Sequence, residues 1–265
     1  MVIDSRSSKF DLSFTPPVMN AAGFMGFAPD VHGPQDLSNL GAFVTNPLSL
    51  EPRSPATGAR FIPFSGGFLL HSGHPNPGLR VILRRFAARW RRSPLPVWIH
   101  LLVQTPQEAT AMVRRLELLK GICGFELGLP PGIDIGYARA LIQAARSELP
   151  LIVKIPIDQV EAMSKSAADA GVDAISLGSP RGELPDENGK LVQGRLYGPA
   201  LFPQALMAVQ SAVSCGIPVI GGGGVYSAWQ AQIMLACGAA AVQLDGMLWK
   251  GGWTGLETPG KVSRV

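Results

Sequence analysis

The sequence predicts an α/β fold and, within that class, an eight-stranded (β/α)8 TIM barrel. Eight short runs of apolar, β-forming residues alternate with amphipathic stretches along the 265 residues. Several of these runs are apolar nearly throughout, which is typical of strands buried on both faces. A chain of about 250 residues is also the usual size for this barrel. A doubly wound open sheet is the alternative, and the count of eight strands favours the barrel, with residues 1–265 forming one domain.

The predicted elements follow one another in strand–helix order. The strands cover 18–24, 42–48, 97–103, 124–130, 151–156, 174–179, 218–224 and 241–246. The helices cover 105–122, 136–149, 157–171, 199–216 and 227–238. The first of these helices has the clearest start, because Thr105 is a good N-cap, Pro106 suits the first turn and Glu108 completes a capping box.

Two stretches depart from a regular barrel. Residues 49–80 form a Pro- and Gly-rich insertion between the second and third strands, and residues 251–265 show no amphipathic pattern after the last strand. The closing helix is therefore predicted to be missing or replaced. An uncovered barrel face exposes apolar area, which indicates a partner, so a homo- or hetero-oligomer is expected.

Composition indicates a cytoplasmic protein without a metal site. The net charge is +4, and no run reaches the roughly 18 apolar residues of a membrane-spanning helix. The N-terminal 14 residues lack the apolar segment of a secretory signal. The three cysteines (Cys123, Cys215 and Cys237) have no metal-ligand spacing and are interpreted as small buried hydrophobic residues.

One internal segment is strongly basic. Between Arg80 and Arg92 there are six arginines and no acid, and the apolar residues between them fit one face of a helix. Such a helix could contact a nucleic acid backbone, an anionic membrane or an acidic protein. A solvated helix face is the favoured interpretation.

The unusual residues lie at strand ends, where barrel enzymes place their active sites. Gly221–Gly224 end the seventh strand, where backbone N–H groups commonly hold phosphate. Lys154 lies in LIVKIP, an otherwise apolar strand. A lysine inside a barrel requires an anionic or electron-rich partner, or its pKa falls.

At these residues the sequence resembles the dihydroorotate dehydrogenases. The resemblance implies a (β/α)8 barrel with bound FMN, in which a hydride passes from C6 of dihydroorotate to the flavin while a base removes a proton from C5. The matching segments are VMNAAGFMGF (18–27), LGAFVTNPLSLEPR (40–53), GHPNPG (73–78), LPLIVKIP (149–156), AGVDAISLGS (170–179), GRLYGPALFPQAL (194–206) and the run from Ile217 to Leu248.

The resemblance implies roles for particular residues. Ala22 and Gly23 would pack against the flavin, Lys154 would face its electron-rich edge, and Gly194 would lie in a nearby loop. Gly223 and Gly224 would hold the phosphate, helped by the end of the eighth strand. The full set of cofactor-binding candidates is Ala22, Gly23, Asn46, Lys154, Gly178, Gly194, Gly221, Gly223, Gly224, Asp245 and Gly246.

The sequence departs from the family where the base and the orotate ligands are expected. The usual Cys or Ser after the fourth strand is replaced by Pro130 and Pro131 within GLPPG, and the usual Gly-Thr or Gly-Ser at the eighth strand by Asp245-Gly246. Histidine can serve as a base near neutral pH, so His71, His74 and His100 are candidate replacements. Lys154 and His74 are taken as the catalytic candidates.

Two functions remain open at this point. The first is an FMN-dependent oxidoreductase that acts on the CH–CH group of a small planar, pyrimidine-like substrate. The second is a catalytically inactive paralogue that serves as a structural or interaction subunit, which the missing base favours.

Overall fold

The computed structural model describes residues 12–256, and its main feature is a closed barrel of eight parallel strands. The strands are Val18–Asn20 (β1), Phe43–Val44 (β2), Val97–Leu102 (β5), Ile122–Gly128 (β6), Leu151–Pro156 (β7), Ala174–Gly178 (β8), Val219–Gly222 (β11) and Ala241–Leu244 (β12). Their order is β1-β12-β11-β8-β7-β6-β5-β2, and a parallel bridge between Met19 and Ala42 closes the ring. The predicted barrel is confirmed, and the open-sheet alternative is wrong.

Seven α-helices accompany the strands in the described part of the chain. They are Leu79–Arg91 (α1), Pro106–Leu116 (α2), Ile135–Ala145 (α3), Val160–Asp169 (α4), Phe202–Val213 (α5), Ala228–Ala236 (α6) and Gly246–Lys250 (α7). Short 3-10 helices cover Leu37–Asn39, Ile157–Gln159 and Pro199–Leu201. Each predicted helix is present, but each is shorter than predicted.

Helix α2 begins as its sequence predicts. The backbone N–H of Glu108 donates to Thr105 Oγ1 at 3.2 Å, so Thr105 is the N-cap. The reciprocal bond differs by one residue, because Glu108 Oε2 accepts from the N–H of Gln104 at 2.7 Å instead of from Thr105. The cap therefore satisfies backbone donors at the helix start that have no intrahelical partner.

Side chains fill the barrel lumen at the end away from the C-terminal ends of the strands. One buried cluster consists of Met19, Ala42, Val44, Trp98, Ile152, Ala174, Ile220 and Ala241. Gly124 in β6 faces the Trp98 ring so closely that no Cβ would fit. Because this layer closes the lumen, open space for a ligand lies at the opposite end, where the strands terminate.

A second, antiparallel sheet was not predicted. Its strands are Phe61–Phe64 (β3), Gly67–Leu70 (β4), Arg181–Pro185 (β9) and Leu191–Tyr197 (β10), in the order β3-β4-β10-β9. The insertion at 49–80 thus contains a hairpin, and it ends in the first turn of α1. Gly194 lies within β10, so the prediction of a loop at this residue was wrong. Its lack of a side chain leaves room for Leu69 of β4, whose Cδ2 would lie 2.5 Å from an added Cβ.

The basic segment is helical, and Ile82 and Trp90 in α1 are buried. Cys123 is exposed and Cys215 and Cys237 are half-buried, so the predicted burial of the three cysteines was wrong. Only the five-residue α7 follows β12 within the described residues, in agreement with a replaced closing helix. The predictions for residues 1–11 and 257–265 lie outside the described residues.

Within residues 12–256, no helix is long and apolar enough to cross a membrane. In the same range, no cluster of His, Cys, Asp and Glu side chains is arranged to hold a metal ion.

We expect Leu69→Ala to lower the free energy of unfolding by about 2–5 kcal/mol, the usual cost of truncating a buried leucine. Leu69 has 0% exposure and packs in the second sheet. The matched control is Leu191→Ala in β10 of the same sheet, because Leu191 is 61% exposed. Urea unfolding measures both variants, and equal losses would contradict this account of the sheet.

Candidate active site at the barrel mouth

A cavity opens at the ends of the barrel strands, and the space in it and at its mouth, including open solvent, is about 580 Å³. We call it the mouth cavity. Small residues form one wall, with Ala21 and Ala22 after β1 and Gly222 and Gly223 at the end of β11. The position matches the C-terminal face where barrel enzymes place their sites.

The floor of the mouth cavity is organised around a buried carboxylate, Glu126 in β6. Its side chain has 0% exposure. Glu126 Oε2 lies 2.6 Å from His100 Nδ1. Glu126 Oε1 accepts hydrogen bonds from Ser176 Oγ at 2.7 Å and Gln243 Nε2 at 2.6 Å. Lys154 Nζ lies 3.4 Å from the same oxygen and also donates to Gln243 Oε1.

Strand register explains why these side chains meet. His100 in β5 is directly opposite Glu126, and Lys154 in β7 is directly opposite Ser176 in β8. Residues paired in neighbouring strands point to the same face of the sheet. The partners therefore converge in the lumen on the single carboxylate of β6.

The opposite charges of Glu126 and Lys154 offset part of the cost of burying each of them. Burial opposes ionisation of Glu126, but the charge of Lys154 and the hydrogen bonds from His100 and Ser176 hold its pKa well below its usual range. Burial lowers the pKa of Lys154, and the charge of Glu126 opposes that shift. Burial also lowers the pKa of His100, although Glu126 favours its protonated form. The prediction that Lys154 requires an anionic partner agrees with this geometry.

The glycine run at 221–224 has several structural causes. An added Cβ on Gly221 would lie 2.9 Å from Met234 Sδ, so this residue allows α6 to pack. Gly224 has φ 74°, and an added Cβ would collide with the backbone of Phe202 in α5. Gly223 has φ 100° and lines the mouth cavity, and a Cβ added to it would lie 3.4 Å from Ala205 Cβ. Only Gly222 and Gly223 of the run therefore face the open space.

Asp245 faces the mouth cavity beside this glycine turn. Its Oδ1 accepts from the N–H of Gly246 at 2.6 Å, and its carboxylate also receives a hydrogen bond from the backbone of Gly224. Burial raises the pKa of Asp245 to about 6, while these backbone hydrogen bonds and Lys154 oppose the shift. An internal carboxylate thus occupies backbone donors of the kind that could hold a phosphate.

His74, Arg195 and Tyr197 also line the mouth cavity, and we call these three residues the rim. Burial, reinforced by the charge of Arg195, lowers the pKa of His74 to about 3, so its imidazole is neutral at pH 7. His74 has φ 52°, an unusual backbone conformation for a residue with a side chain. Arg195 Nη1 donates to Ser179 O at 3.1 Å, which fixes the guanidinium at the rim.

The structure brings together only part of the predicted set. The predicted residues that line the mouth cavity are Ala22, His74, His100, Lys154, Gly178, Gly223 and Asp245. Gly194 and His71 line a neighbouring cavity instead. Asn46 forms two hydrogen bonds with the backbone of Gly26. Gly23, Gly221, Gly224 and Gly246 are next to the cavity in sequence without lining it.

Sequence reasoning missed Glu126, Gln243, Arg195 and Tyr197. Glu126 offered a usable signal, because an acid within the apolar run GFELG, like Lys154 within LIVKIP, requires a partner when it is buried. Gln243 lies in the similarly apolar run AVQL. Arg195 and Tyr197 offered no comparable signal, since their role at the rim depends on the unpredicted second sheet.

A closed parallel barrel with a lysine-bearing polar floor and a glycine-lined wall defines a barrel enzyme that binds its ligand at the strand ends. Residues 6–258 match the family model for dihydroorotate dehydrogenase. The chain belongs to the dihydroorotate dehydrogenase family.

Curated relatives support this assignment. "Dihydroorotate dehydrogenase B (NAD(+)), catalytic subunit" from Pelobacter propionicus is 32% identical over 249 residues, covering 86% of this chain and 82% of the relative. The protein of the same description from Trichlorobacter lovleyi is 31% identical with the same coverage. A crystal structure of DHODH from Eimeria tenella in complex with ferulenol has a TM-score of 0.72 and 17% identity, covering 88% of this chain and 76% of that one. The last comparison supports the fold.

The residues that line the mouth cavity suit FMN, the cofactor of the family, in three respects. The small residues of the wall leave a slot for a flat ring. A Cβ at Gly178 would lie 3.2 Å from Lys154 Cε, so a side chain at this position would narrow the slot. Lys154 and Gln243 offer polar contacts to the ring edge at the floor. The backbone donors near Gly224 suit a phosphate, although Asp245 uses them here. The residues fit FMN, with Asp245 as the one competing group.

We expect Glu126→Gln to lower the free energy of unfolding by about 3–5 kcal/mol at pH 7, because it leaves Lys154 without its buried partner. The folded-state pKa of Glu126 is lowered, so its stabilising effect is present above the unfolded pKa of about 4.3 and is lost as the pH falls below it. The difference in the free energy of unfolding between wild type and variant should therefore shrink below about pH 4.

Urea unfolding at several pH values measures that gap. Glu161→Gln is the matched control, since Glu161 is exposed in α4. A gap for Glu126→Gln that stays constant from pH 7 to pH 3 would contradict the assigned charge on Glu126.

Proposed function

We propose that this chain is an FMN-dependent oxidoreductase of the dihydroorotate dehydrogenase type, acting on the CH–CH group of a small planar, pyrimidine-like substrate. The observation that carries the proposal is Lys154, held by Glu126 and Gln243 on the floor of a cavity that glycines border. Family membership supports the same activity.

FMN, when bound, supplies the acceptor for the hydride that leaves the substrate. Lys154 would hold the ring from the floor of the mouth cavity, where its positive charge would favour negative charge on the ring. Ala22, Gly178 and Gly223 leave the space that a flat ring needs. The hydrogen bonds of Glu126 keep the Lys154 ammonium in place, so it requires little reorganisation on binding.

His74 is the proposed proton acceptor for the substrate. It is neutral at pH 7 and lines the mouth cavity, as Lys154 does. Pro130 and Pro131 stand where the family base is expected, and proline side chains carry no group that accepts a proton. An anionic substrate near Arg195 would offset the positive charge beside His74, which would raise its pKa and strengthen it as a base.

A catalytically inactive paralogue is the second candidate, and the two prolines favour it. FMN retention separates the two only in part, because an inactive paralogue could keep the cofactor. Reduction of bound FMN by a dihydropyrimidine substrate under anaerobic conditions separates them directly.

The proposal extends to partners and location. The relatives are described as catalytic subunits, which supports association of this chain with a second subunit. The three free cysteines agree with the reducing conditions of the cytoplasm. The arginines of α1 are exposed, and a solvated face remains the favoured interpretation over contact with nucleic acid or membrane.

We expect Lys154→Ala to lower the FMN content of the purified protein at least tenfold, because the variant loses the positive charge on the floor of the mouth cavity. The visible absorbance spectrum measures flavin per chain, and circular dichroism verifies folding. Lys165→Ala is the matched control, since Lys165 is exposed in α4. Unchanged flavin content in a folded Lys154→Ala protein would refute the role of Lys154.

We expect Asp245→Asn to bind FMN about tenfold tighter than wild type at pH 8, because it removes the carboxylate that competes with the phosphate. The advantage should shrink as the pH falls below about 6, where wild-type Asp245 is protonated. The charged and titratable groups that influence Asp245 are Lys154, Tyr197 and Tyr226. Fluorescence quenching of FMN gives the dissociation constants.

The control ligand in this experiment is riboflavin, which has no phosphate and should bind both proteins equally. Because both proteins are measured at the same pH, the protonation state of the FMN phosphate is the same in the two measurements. Equal FMN affinity of the two proteins at pH 8 would contradict competition by Asp245.

A further inference from the structure

His100 in β5 connects the buried carboxylate of Glu126 with the mouth cavity. Its Nδ1 lies 2.6 Å from Glu126 Oε2. Its Nε2 lies beside Gly128, because a Cβ added to that glycine would be 2.6 Å from this nitrogen. Gly128 is the last residue of β6, whereas Glu126 is two residues earlier. The imidazole therefore extends from the carboxylate towards the ends of the strands.

Gly128 provides the space that this imidazole occupies. A glycine within a strand weakens it, because it has no side chain to pack and loses much backbone freedom on folding. At this position any side chain would collide with His100, whose Cε1 would also lie only 3.1 Å from the added Cβ. The strand therefore accommodates the histidine at some cost to its own stability.

The ionised carboxylate decides which ring nitrogen carries the proton. Glu126 is charged, because Lys154 and the hydrogen bonds to the carboxylate hold its pKa well below the usual range. A charged carboxylate can only accept hydrogen bonds, so Nδ1 of His100 donates. Burial lowers the pKa of His100, which favours the neutral imidazole at pH 7. A neutral ring with its proton on Nδ1 has Nε2 as an acceptor.

This acceptor is open to a ligand. Within residues 12–256, Nε2 of His100 has no hydrogen-bond partner, and it is not among the fully enclosed polar atoms that lack one. His100 and Gly128 both line the mouth cavity. An unprotonated nitrogen thus borders the space in which the proposed function places the flat ring of FMN.

The charges around His100 control whether Nε2 binds a proton. Glu126 in β6 favours the imidazolium, whereas Lys154 in β7 and Arg195 in β10 oppose it. A charge on His100 would also act on His74, which is itself neutral at pH 7. Negative charge on a ligand above the floor would offset Lys154 and Arg195, and the imidazolium would then become favourable.

We propose that His100 is the proton store of the flavin site: it holds one proton on Nδ1 when the ring above it is neutral and binds a second on Nε2 when that ring gains negative charge. The inference rests on the proposed function for the presence of the ring. A ring that has accepted two electrons and one proton carries one negative charge, and His100 takes one proton from the solvent to neutralise it. Glu126 is the positioning residue, because it fixes the imidazole and stabilises the imidazolium.

The midpoint potential of the FMN-loaded chain, measured by spectroelectrochemistry from about pH 7 to pH 9, counts these protons. A two-electron couple that takes up one proton shifts by about 30 mV per pH unit, and a second proton doubles the slope. We expect a slope of about 60 mV per pH unit for wild type and about 30 mV for His100→Asn, which keeps a polar side chain that binds no proton. His32→Asn is the matched control, because His32 is exposed, and it should keep the wild-type slope.

Nitrogen NMR of protein with isotope-labelled histidine tests the two protonation states directly. The chain has four histidines, and the signals that disappear in His100→Asn belong to His100. We expect the flavin-free chain at pH 7 to show a protonated Nδ1 and a bare Nε2. After FMN is bound and reduced with dithionite, both nitrogens should show the chemical shifts of an imidazolium.

A wild-type slope of about 30 mV per pH unit, or a slope of about 60 mV that His100→Asn retains, would overturn the role of His100. An imidazole that stays neutral after reduction would do the same. Circular dichroism verifies folding of the variant, and the wild-type slope alone decides if His100→Asn does not fold. A chain that takes up no FMN refutes the proposed function and the proton store together, whereas a chain that holds FMN with the one-proton slope refutes the proton store alone.

Discussion

The structure depends on one buried charge, the carboxylate of Glu126. A charged carboxylate removed from water is stable only when it is paired and fully hydrogen-bonded. Here the partners come from four other strands: His100 from β5, Lys154 from β7, Ser176 from β8 and Gln243 from β12. The strand registers that bring these groups together also fix the floor of the mouth cavity.

The floor, the wall and the rim of the mouth cavity differ in charge. The floor combines Lys154 with a compensating carboxylate, and the glycine wall carries a second carboxylate at Asp245. Arg195 at the rim forms no ion pair within residues 12–256. A ligand with a flat ring and separate anionic groups matches that division. The antiparallel second sheet is essential to it, because β10 carries both Arg195 and Tyr197 to the rim.

The sequence predicted the barrel because parallel buried strands produce apolar runs that are visible without any tertiary contact. It predicted an important lysine for the same reason, since Lys154 interrupts such a run. The partner of Lys154 could not be identified from spacing, because Glu126 is 28 residues away and meets it only through register. The hairpin β3–β4 was missed because Pro63 and the flanking glycines indicate a loop.

Glycines were the hardest residues to interpret from sequence. Gly221, Gly222, Gly223 and Gly224 look alike, yet one faces α6, one lies against the α5 backbone and two border the cavity. The reason for each depends on which neighbour packs against it. Asp245 was likewise identified as a departure from the family pattern, but only the structure places its carboxylate on the backbone donors.

The central claim is that the polar floor built on Glu126 and Lys154 supports a bound flavin. The most direct measurement is the visible spectrum of the purified wild-type chain, together with the mass and amount of ligand released by mild denaturation. The account predicts FMN at about one molecule per chain. A colourless protein that releases no flavin, and that takes up none when FMN is added, would contradict it.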